Sequence, residues 1–401
     1  MLEKLILLHS HNFNTTDCSL FFSPGRINLI GEHTDYNGGF CLPCTINLGT
    51  YAVVSQNLNS TIRIFSDKFP EDGVIVVNLN NLLEKNIEYK WVNYLIGLLN
   101  LLKNNQINIP FGLDITISSN LPMGCGLSSS ASLETLLITI LDDIYELHLS
   151  EINKIEWCKN IENNFVGVSC GVMDQFVTML GEKNKAILLN CTKLDTYQYI
   201  NFNLHDYSLL IMNTNKPRYL VSSIYNKIVE ECNAVVRVLQ KKLPIKNLSD
   251  LSISDIEDNE YLLKEEQHVL RAKHVVNENS RTIDAAECLK NNQLDTFGIL
   301  MKDSHVSLRD YYKVTGIELD SLVSAAWSQK ECLGARMTGA GMGGCSISIV
   351  KTNAVEDFIK KVNEIYHRKT GLIASFYNIT TVAGAHKILN LDSFENSNLN
   401  L

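Results

Sequence analysis

Apolar positions change period along this chain, and each change marks an element. Short runs of β-type alternation come first, at Ile27 to Ile30, Tyr51 to Ser55 and Thr61 to Phe65, punctuated by the turn signal Asn37-Gly38-Gly39. From Trp91 to Lys103 the spacing becomes helical, with Trp91, Tyr94, Leu95, Leu98, Leu99 and Leu102 on one face. Leu113, Ile115 and Ile117 alternate with polar residues as in a half-buried strand. A glycine-rich loop separates them from a helix predicted over about Ser129 to Leu147. Another helix is predicted over Glu151 to Phe165 and a strand over Ala186 to Leu189. Periodicity then fails from Asn190 to Tyr199, which suggests a junction dividing the chain into residues 1–190 and 191–401.

Beyond it the pattern predicts a strand at Ser208 to Met212, helices over Val221 to Lys241, Tyr261 to Glu278 and Ile283 to Lys290, and strands at Ser346 to Val350 and Thr380 to Val382. Strands mixed with runs of helices indicate an α+β fold, not a regular βαβ array. No solenoid repeat is present, and an Asn-rich tail, Asn396 to Leu401, is expected to fray.

Length and composition narrow the class. A chain of 401 residues suits two domains or three small ones, and 45% apolar with 20% charged residues is ordinary globular composition. Thirty-five Lys and Arg against 44 Asp and Glu leave a net charge of −9 without any block of like charge, which removes the footprint of a general nucleic-acid binder. Phosphate handled by such a chain must be met locally, by backbone amides, a metal and a few placed cations. Eleven scattered Cys suggest reduced thiols, and Cys41-Leu-Pro-Cys44, without a second pair at metal spacing, reads as ordinary semi-buried thiols. Met1 to Ser10 lacks a signal-peptide pattern and no stretch approaches 18 apolar residues. The expectation is a cytoplasmic protein with no membrane, nucleic-acid or obligate protein partner.

Three glycine-bearing segments carry the chemistry. Leu121-Pro-Met-Gly124-Cys125-Gly126-Leu127-Ser128-Ser129-Ser130-Ala131 lies between a strand and a helix, where free N–H groups and the helix dipole face an anion. It is neither a Walker A loop nor a dinucleotide fingerprint, and a plain turn with a Ser N-cap has the same look. Near the N-terminus, Arg26, Glu32, His33 and Asp35 crowd around a strand end and an Asn-Gly turn. That mixture of donors and acceptors suits a polyhydroxylated ligand better than a metal; a hairpin with solvated charges is the alternative. In Cys170-Gly171-Val-Met-Asp174-Gln175 a lone carboxylate follows a tight turn, either as a helix cap or as a functional acid or base. Glu162, on the preceding helix, could bring a second carboxylate to the same cavity for a hard cation such as Mg²⁺. Late in the chain, Thr338-Gly-Ala-Gly-Met-Gly-Gly-Cys345 precedes a strand, as a flexible hairpin loop or a second backbone wall against a ligand.

In this order and spacing the segments resemble the galactokinase family of the GHMP small-molecule kinases. The signature Gly25-Arg-Ile-Asn-Leu-Ile-Gly-Glu-His-Thr-Asp35-Tyr36 carries most of the resemblance. Pro122 to Ala131 and Thr338 to Cys345 are similar to that superfamily's second and third motifs, and the likeness runs through Trp91 to Tyr94, Glu162 to Gln175, Tyr225-Asn226, Arg271 to Val276 and Ser304 to Asp310. Met342, where Phe is commoner, and Cys41 and Cys44 depart from the pattern without touching a proposed catalytic group.

The resemblance implies a two-lobed fold, with a mixed-sheet N-terminal lobe, an α+β C-terminal lobe and the site between them. It implies transfer of the γ-phosphoryl of ATP to the C1 hydroxyl of α-D-galactose, with Mg²⁺ as cofactor and ATP as co-substrate. Asp174 would then be the base and Arg26 the arginine that orients it. Glu32, His33, Asp35, Gly171 and Tyr225, with Asp174, would hold the sugar. Gly124, Cys125, Gly126, Leu127, Ser128, Ser129, Ser130 and Ala131 would line the nucleotide, with Trp91 and Tyr94 near adenine. Ser130 and Glu162 would hold Mg²⁺. A kinase for a related sugar such as N-acetylgalactosamine or L-arabinose, and a catalytically silent sugar-responsive regulator, are the competing readings.

Overall fold

The first long strands have no polar face, because both of their faces are covered. From the N-terminus the chain runs α1 (Leu2–Phe13), β1 (Ser19–Asn28), β2 (Phe40–Cys41), β3 (Pro43–Asn57), β4 (Thr61–Ser66), β5 (Ile75–Asn78), α2 (Asn93–Asn104), β6 (Gly112–Ser119), α3 (Ser129–Ile144), α4 (Glu151–Asn160), α5 (Met173–Leu180) and β7 (Lys185–Asn190). It continues through β8 (Gln198–Asn201), β9 (Tyr207–Asn213), α6 (Val221–Leu239), α7 (Ile253–Asn259), α8 (Glu266–Lys290), α9 (Leu294–Ser307), α10 (Gly316–Trp327), β10 (Cys332–Met337), β11 (Cys345–Lys351), α11 (Val355–Thr370), β12 (Ser375–Ile379) and β13 (His386–Ile388). This computed structural model describes residues 2–80, 84–122, 124–168, 170–217 and 221–389; the tail from Asn396 to Leu401 lies outside the described residues.

The N-terminal lobe is built on a six-stranded sheet in the order β13-β1-β3-β6-β4-β5, mixed because β4 and β6 run parallel. On one face Leu2 and Leu5 of α1 pack against Leu20, Phe22, Tyr51 and Val53. On the other, Leu136, Ile140 and Phe176 of α3 and α5 pack against Phe21, Ala52 and Val54. Each such side chain contributes about 1.5–3 kcal/mol by leaving water. The polar residues of β3 are buried too, so each needs a partner inside the protein: Ser55 hydrogen-bonds His9 of α1, and the side-chain oxygen of Asn47 accepts from the Thr380 N–H.

The C-terminal lobe carries the sheet β10-β11-β9-β12, backed by α10 and α11. A third sheet, β2-β7-β8, lies beside the junction. One apolar cluster joins the lobes: Ile27, Leu42 and Ile46 from the first share it with Leu209, Ile347 and Met301 from the second. The last strand, β13, returns to pair with β1, as Leu20↔Ile388. Among the described residues no helix is long and apolar enough to cross a membrane.

Several expectations are corrected. Within the segment read only for targeting signals, Leu2 to Ser10 form most of α1, whose Leu2, Leu5 and Phe13 are buried. The two helices expected around residues 279–282 are one, α8, because the polar break is satisfied internally: Arg281 pairs with Glu278 and the Thr282 hydroxyl donates to the Glu278 carbonyl. Thr380 to Val382 is not a ladder strand, since Asn47 and Thr45 of β3 bind this segment and the strand is Ser375–Ile379 instead. The helix over Glu151 to Phe165 ends as a π turn, Ile161–Val166, and β8 begins inside the region where periodicity fails.

His9 gives a pH test of the α1 contact. It is buried between Thr116 and Ser55, and burial lowers its pKa to about 4. The unfolded chain takes up this proton below about 6.5 while the native chain does not, so stability present above 6.5 is lost as pH falls toward 4. Denaturant unfolding of His9→Gln between pH 7 and 4 should show a shallower loss than the parent chain, and an equal slope would contradict this environment.

Candidate active site

Arg26 sits on β1 just after a bulge between Pro24 and Gly25. Gly25 is required there, because a Cβ would meet Leu121 at 2.5 Å and the Leu127 carbonyl at 2.9 Å. That close approach lets the Arg26 N–H donate to the Leu127 carbonyl at 3.2 Å. The guanidinium makes a bidentate pair with Asp174, Nε to Oδ1 and Nη2 to Oδ2, both at 2.8 Å, and its Nη1 donates to the Gly126 carbonyl at 2.7 Å. Ser128, in the left-handed region at φ 58°, donates its hydroxyl to Asp174 Oδ2. Asp174 lies in the first turn of α5 but serves as more than a cap, since its carboxylate is held by side chains from β1 and the glycine loop.

These groups open onto a cavity of about 490 Å³. Glu32, His33, Asp35, Gly171 and Tyr225 line it with Arg26 and Asp174, and Gly124, Gly126, Ser128, Ser129, Ser130, Tyr94 and Glu162 line it too. A neighbouring cavity of about 220 Å³ is lined by Trp91, Phe69, Lys68 and Leu133 and shares Tyr94, Ser129 and Ser130 with the first. Thus Arg26, Glu32, His33 and Asp35, part of the glycine loop, and Trp91 with Tyr94 line two cavities that share a wall. Cys125, Leu127 and Ala131 line neither cavity; their side chains are buried under the loop, Cys125 against the Asn213 amide at 3.0 Å. A Cβ on Gly171 would run into the Asp35 carboxylate, so only glycine fits this wall.

Burial sets the electrostatics. Asp35 is pushed up to about 6, mainly by desolvation and then by the Asp174 charge. His33 is lowered to about 3 by desolvation, with His274 and Arg271 adding, so its ring is neutral. Glu32 is drawn up toward about 7 by burial, while Arg336 and the Gly339 N–H pull the other way. Its geometry is that of a carboxylate among donors: Arg336 Nη1 at 2.7 Å, Asn28 Nδ2 at 2.8 Å and the Gly339 N–H at 2.8 Å. The Thr338 to Cys345 loop is therefore a wall of the site, with Gly339 and Ala340 lining the large cavity.

Beside this cavity stand groups that fit a hard cation. Ser130 and Glu162 stand within hydrogen-bonding reach of each other on the cavity wall. Gln175 Nε2 bridges Glu162 and Glu134, at 2.5 and 3.1 Å, and Glu134 Oε1 is buried without a hydrogen-bond partner. Burial and then the charge of Asp174 raise Glu162; burial and then Glu162 raise Glu134. A hard cation would offset the mutual repulsion of these two buried carboxyl groups. Among the described residues no three His, Cys, Asp or Glu side chains converge to hold a metal alone.

Sequence reasoning missed the buried ionic group behind Glu32. Arg336, fully buried on β10, pairs with Glu32 and lies 3.8 Å from Glu278, whose Oε1 accepts from Ser304 and from the Gly31 N–H. Burial works to raise Glu278, but neighbouring cations, Arg281 first, hold it at about 2. A signal was present: Arg271, His274, Glu278 and Thr282 recur at helical spacing, and all are buried.

Sequence and structure comparisons agree with the geometry. The fold is that of the GHMP kinases, whose N-terminal domain matches residues 93–182 and C-terminal domain residues 285–368. The crystal structure of Methanococcus jannaschii mevalonate kinase superposes with a TM-score of 0.67 at 20% identity, over 91% of this chain and 99% of that one, which speaks to fold alone. The galactokinase galactose-binding signature matches residues 8–56. The chain is 48% identical over 367 residues to a galactokinase of Clostridium perfringens, covering 92% of this chain and 94% of that one. It is 44% identical over 370 residues to one of Clostridium beijerinckii, covering 92% and 95%. A structure of Lactococcus lactis galactokinase complexed with galactose matches with TM-score 0.93 at 40% identity, over 96% and 100% of the two chains. The chain belongs to the galactokinase family.

Removing Arg336 should leave Glu32 and Glu278 as buried carboxylates without their shared cation. Arg336→Met should cost about 3–5 kcal/mol in urea unfolding near neutral pH. A loss below about 1 kcal/mol would contradict the ionic role assigned to this arginine.

Proposed function

We propose that the chain transfers the γ-phosphoryl group of ATP to the C1 hydroxyl of α-D-galactose, giving galactose 1-phosphate and ADP. The observation that carries the mechanism is the clamped carboxylate of Asp174 at the meeting point of the signature residues and the glycine loop. Asp174 Oδ2 takes two donors, Arg26 and Ser128, whereas Oδ1 takes one, so Oδ1 keeps an acceptor site for a sugar hydroxyl. Asp174 is the base that receives the hydroxyl proton as the oxygen attacks phosphorus. Arg26 holds the carboxylate in register and, with its charge beside the loop, offsets negative charge developing on the transferred group.

The sugar lies against Glu32, His33, Asp35, Tyr225 and the backbone of Gly171. The triphosphate follows the N–H groups of the loop from Gly124 to Ala131, where Cys125, Leu127 and Ala131 contribute backbone only, and adenine lies in the smaller cavity beside Trp91 and Tyr94. Ser130 and Glu162 hold Mg²⁺, which when bound supplies charge neutralisation and alignment of the phosphates. We divide the chain into residues 1–190 and 191–401, with β7 and β8 pairing across the division.

Asp174→Asn should lower turnover by about 10²- to 10⁴-fold, the range for loss of a general base, with ATP affinity changed little. Near-normal galactose-dependent ADP release would remove Asp174 from that role. Ser130→Ala should shift the Mg²⁺ titration of activity and of nucleotide binding to higher concentration; an unchanged binding titration would take Ser130 out of the metal site.

A further inference from the structure

His33 stands in the left-handed region at φ 62°, an uncommon and strained conformation for a residue with a Cβ. The backbone is kept there by the Asn37 amide, which donates to the His33 carbonyl at 2.8 Å. The ring is packed against Tyr312 at 4.7 Å between centroids and near Tyr36 and Tyr225. A chain of hydrogen bonds leads away from it: His33 Nδ1 to the Tyr36 hydroxyl at 2.7 Å, Tyr36 to the Tyr312 hydroxyl at 2.8 Å, and Tyr312 to Cys232 Sγ at 3.3 Å. The other ring nitrogen, Nε2, is buried and has no hydrogen-bond partner, in a residue that lines the large cavity.

Each hydroxyl has one hydrogen, so the chain can run in two directions. In one, His33 Nδ1–H donates to Tyr36, Tyr36 to Tyr312, and Tyr312 must donate to sulfur, a weak acceptor. In the other, Tyr312 donates to Tyr36 and Tyr36 to a bare Nδ1, both strong acceptors, while the Cys232 thiol serves as a weak donor at the far end. The second direction gives the His33–Tyr36 contact the better acceptor, an imidazole nitrogen in place of a phenol oxygen, while the Tyr36–Tyr312 contact has a phenol oxygen as acceptor either way. It also leaves the ring hydrogen on Nε2.

We propose that Tyr36, backed by Tyr312 from the other lobe, is a positioning residue that fixes His33 as the Nε2–H tautomer, a hydrogen-bond donor for a sugar hydroxyl. This rests on the reading of His33 as a sugar contact. The device makes donor polarity at this position a property of both lobes. Tyr36 comes from the loop after β1, whereas Tyr312 is anchored in the C-terminal lobe by Cys232 of α6 and by the Arg271 guanidinium 5.0 Å over its ring. An acceptor in place of the donor would face a hydroxyl differently and alter which sugars bind.

The test combines spectroscopy with kinetics. Nitrogen NMR of the full chain carrying ¹⁵N-histidine, without sugar and with His33 assigned through His33→Gln, should show Nδ1 unprotonated and Nε2 protonated. The opposite pattern overturns the proposal without any positioning variant. Tyr36→Phe should shift the tautomer balance of His33 and raise the KM for galactose about tenfold, the loss expected from one neutral hydrogen bond, with kcat and the KM for ATP moving far less. If His33→Gln raises the galactose KM but Tyr36→Phe moves neither tautomer nor KM, positioning by Tyr36 is wrong. If His33→Leu, which has no donor, leaves galactose binding intact, the sugar contact itself is wrong, and the tautomer spectrum still judges Tyr36. Tyr312→Phe serves as the second variant should Tyr36→Phe fail to fold, with the same expected direction and a smaller effect.

Discussion

The bidentate pair between Arg26 and Asp174 joins segments that lie 148 residues apart, and the third arm of the guanidinium reaches the carbonyl of Gly126 in the loop between them. A planar guanidinium satisfies this arrangement because its donors point along fixed directions, which a lysine ammonium does not reproduce. The pair is also only partly closed to solvent: Arg26 is 6% exposed and Asp174 28%. Its carboxylate therefore faces the cavity while its orientation is set from behind. Everything else in the site is arranged around that carboxylate, including the Ser128 hydroxyl that ties it to the loop and the Gly171 wall that admits Asp35 beside it.

A second layer of charge holds the lobes in register. Arg336 reaches from β10 to Glu32 and to the carbonyls of Asn28 and Leu29 at the end of β1, while Thr338 and Gly339 of the glycine-rich loop bond to the same Glu32 carboxylate. Such a buried group adds little net stability over an apolar core, yet breaking it is costly, so it fixes one arrangement of the two lobes. The apolar cluster shared by Ile27, Ile46, Ile211 and Ile347 acts in the same sense. Together they give the cavity between the lobes defined walls on both sides.

Much of this was readable before the fold was known. Glycines that must approach a ligand or another backbone, and polar side chains placed beside them, announce themselves locally: Arg26, Glu32, His33, Asp35, Asp174 and the loop's Gly124, Gly126, Ser128, Ser129 and Ser130 line the large cavity, whereas Cys125, Leu127 and Ala131 of the same loop line neither cavity. Strands and helices with clear periods were found as well. The failures share a cause: a residue whose partner is far along the chain carries no local mark. Arg336 looks like a stray charge in a strand, and Glu134 like a surface position on α3, until Glu32 and Gln175 are beside them. The break inside α8 read as a helix end because Arg281 and Thr282 are polar, although both are satisfied within the helix itself. Likewise β3 looked shorter than its fifteen residues because its polar positions find partners in α1 and in the returning C-terminal segment.

Which sugar accepts phosphate decides what the cavity between the lobes is built for. ADP release by the purified protein with Mg²⁺ and ATP, compared across D-galactose, D-glucose, N-acetylgalactosamine, L-arabinose and no sugar, measures this directly. Turnover with galactose far above every other condition is the predicted result. Turnover fastest with another sugar, or none with galactose in protein that still binds both galactose and ATP, would contradict it.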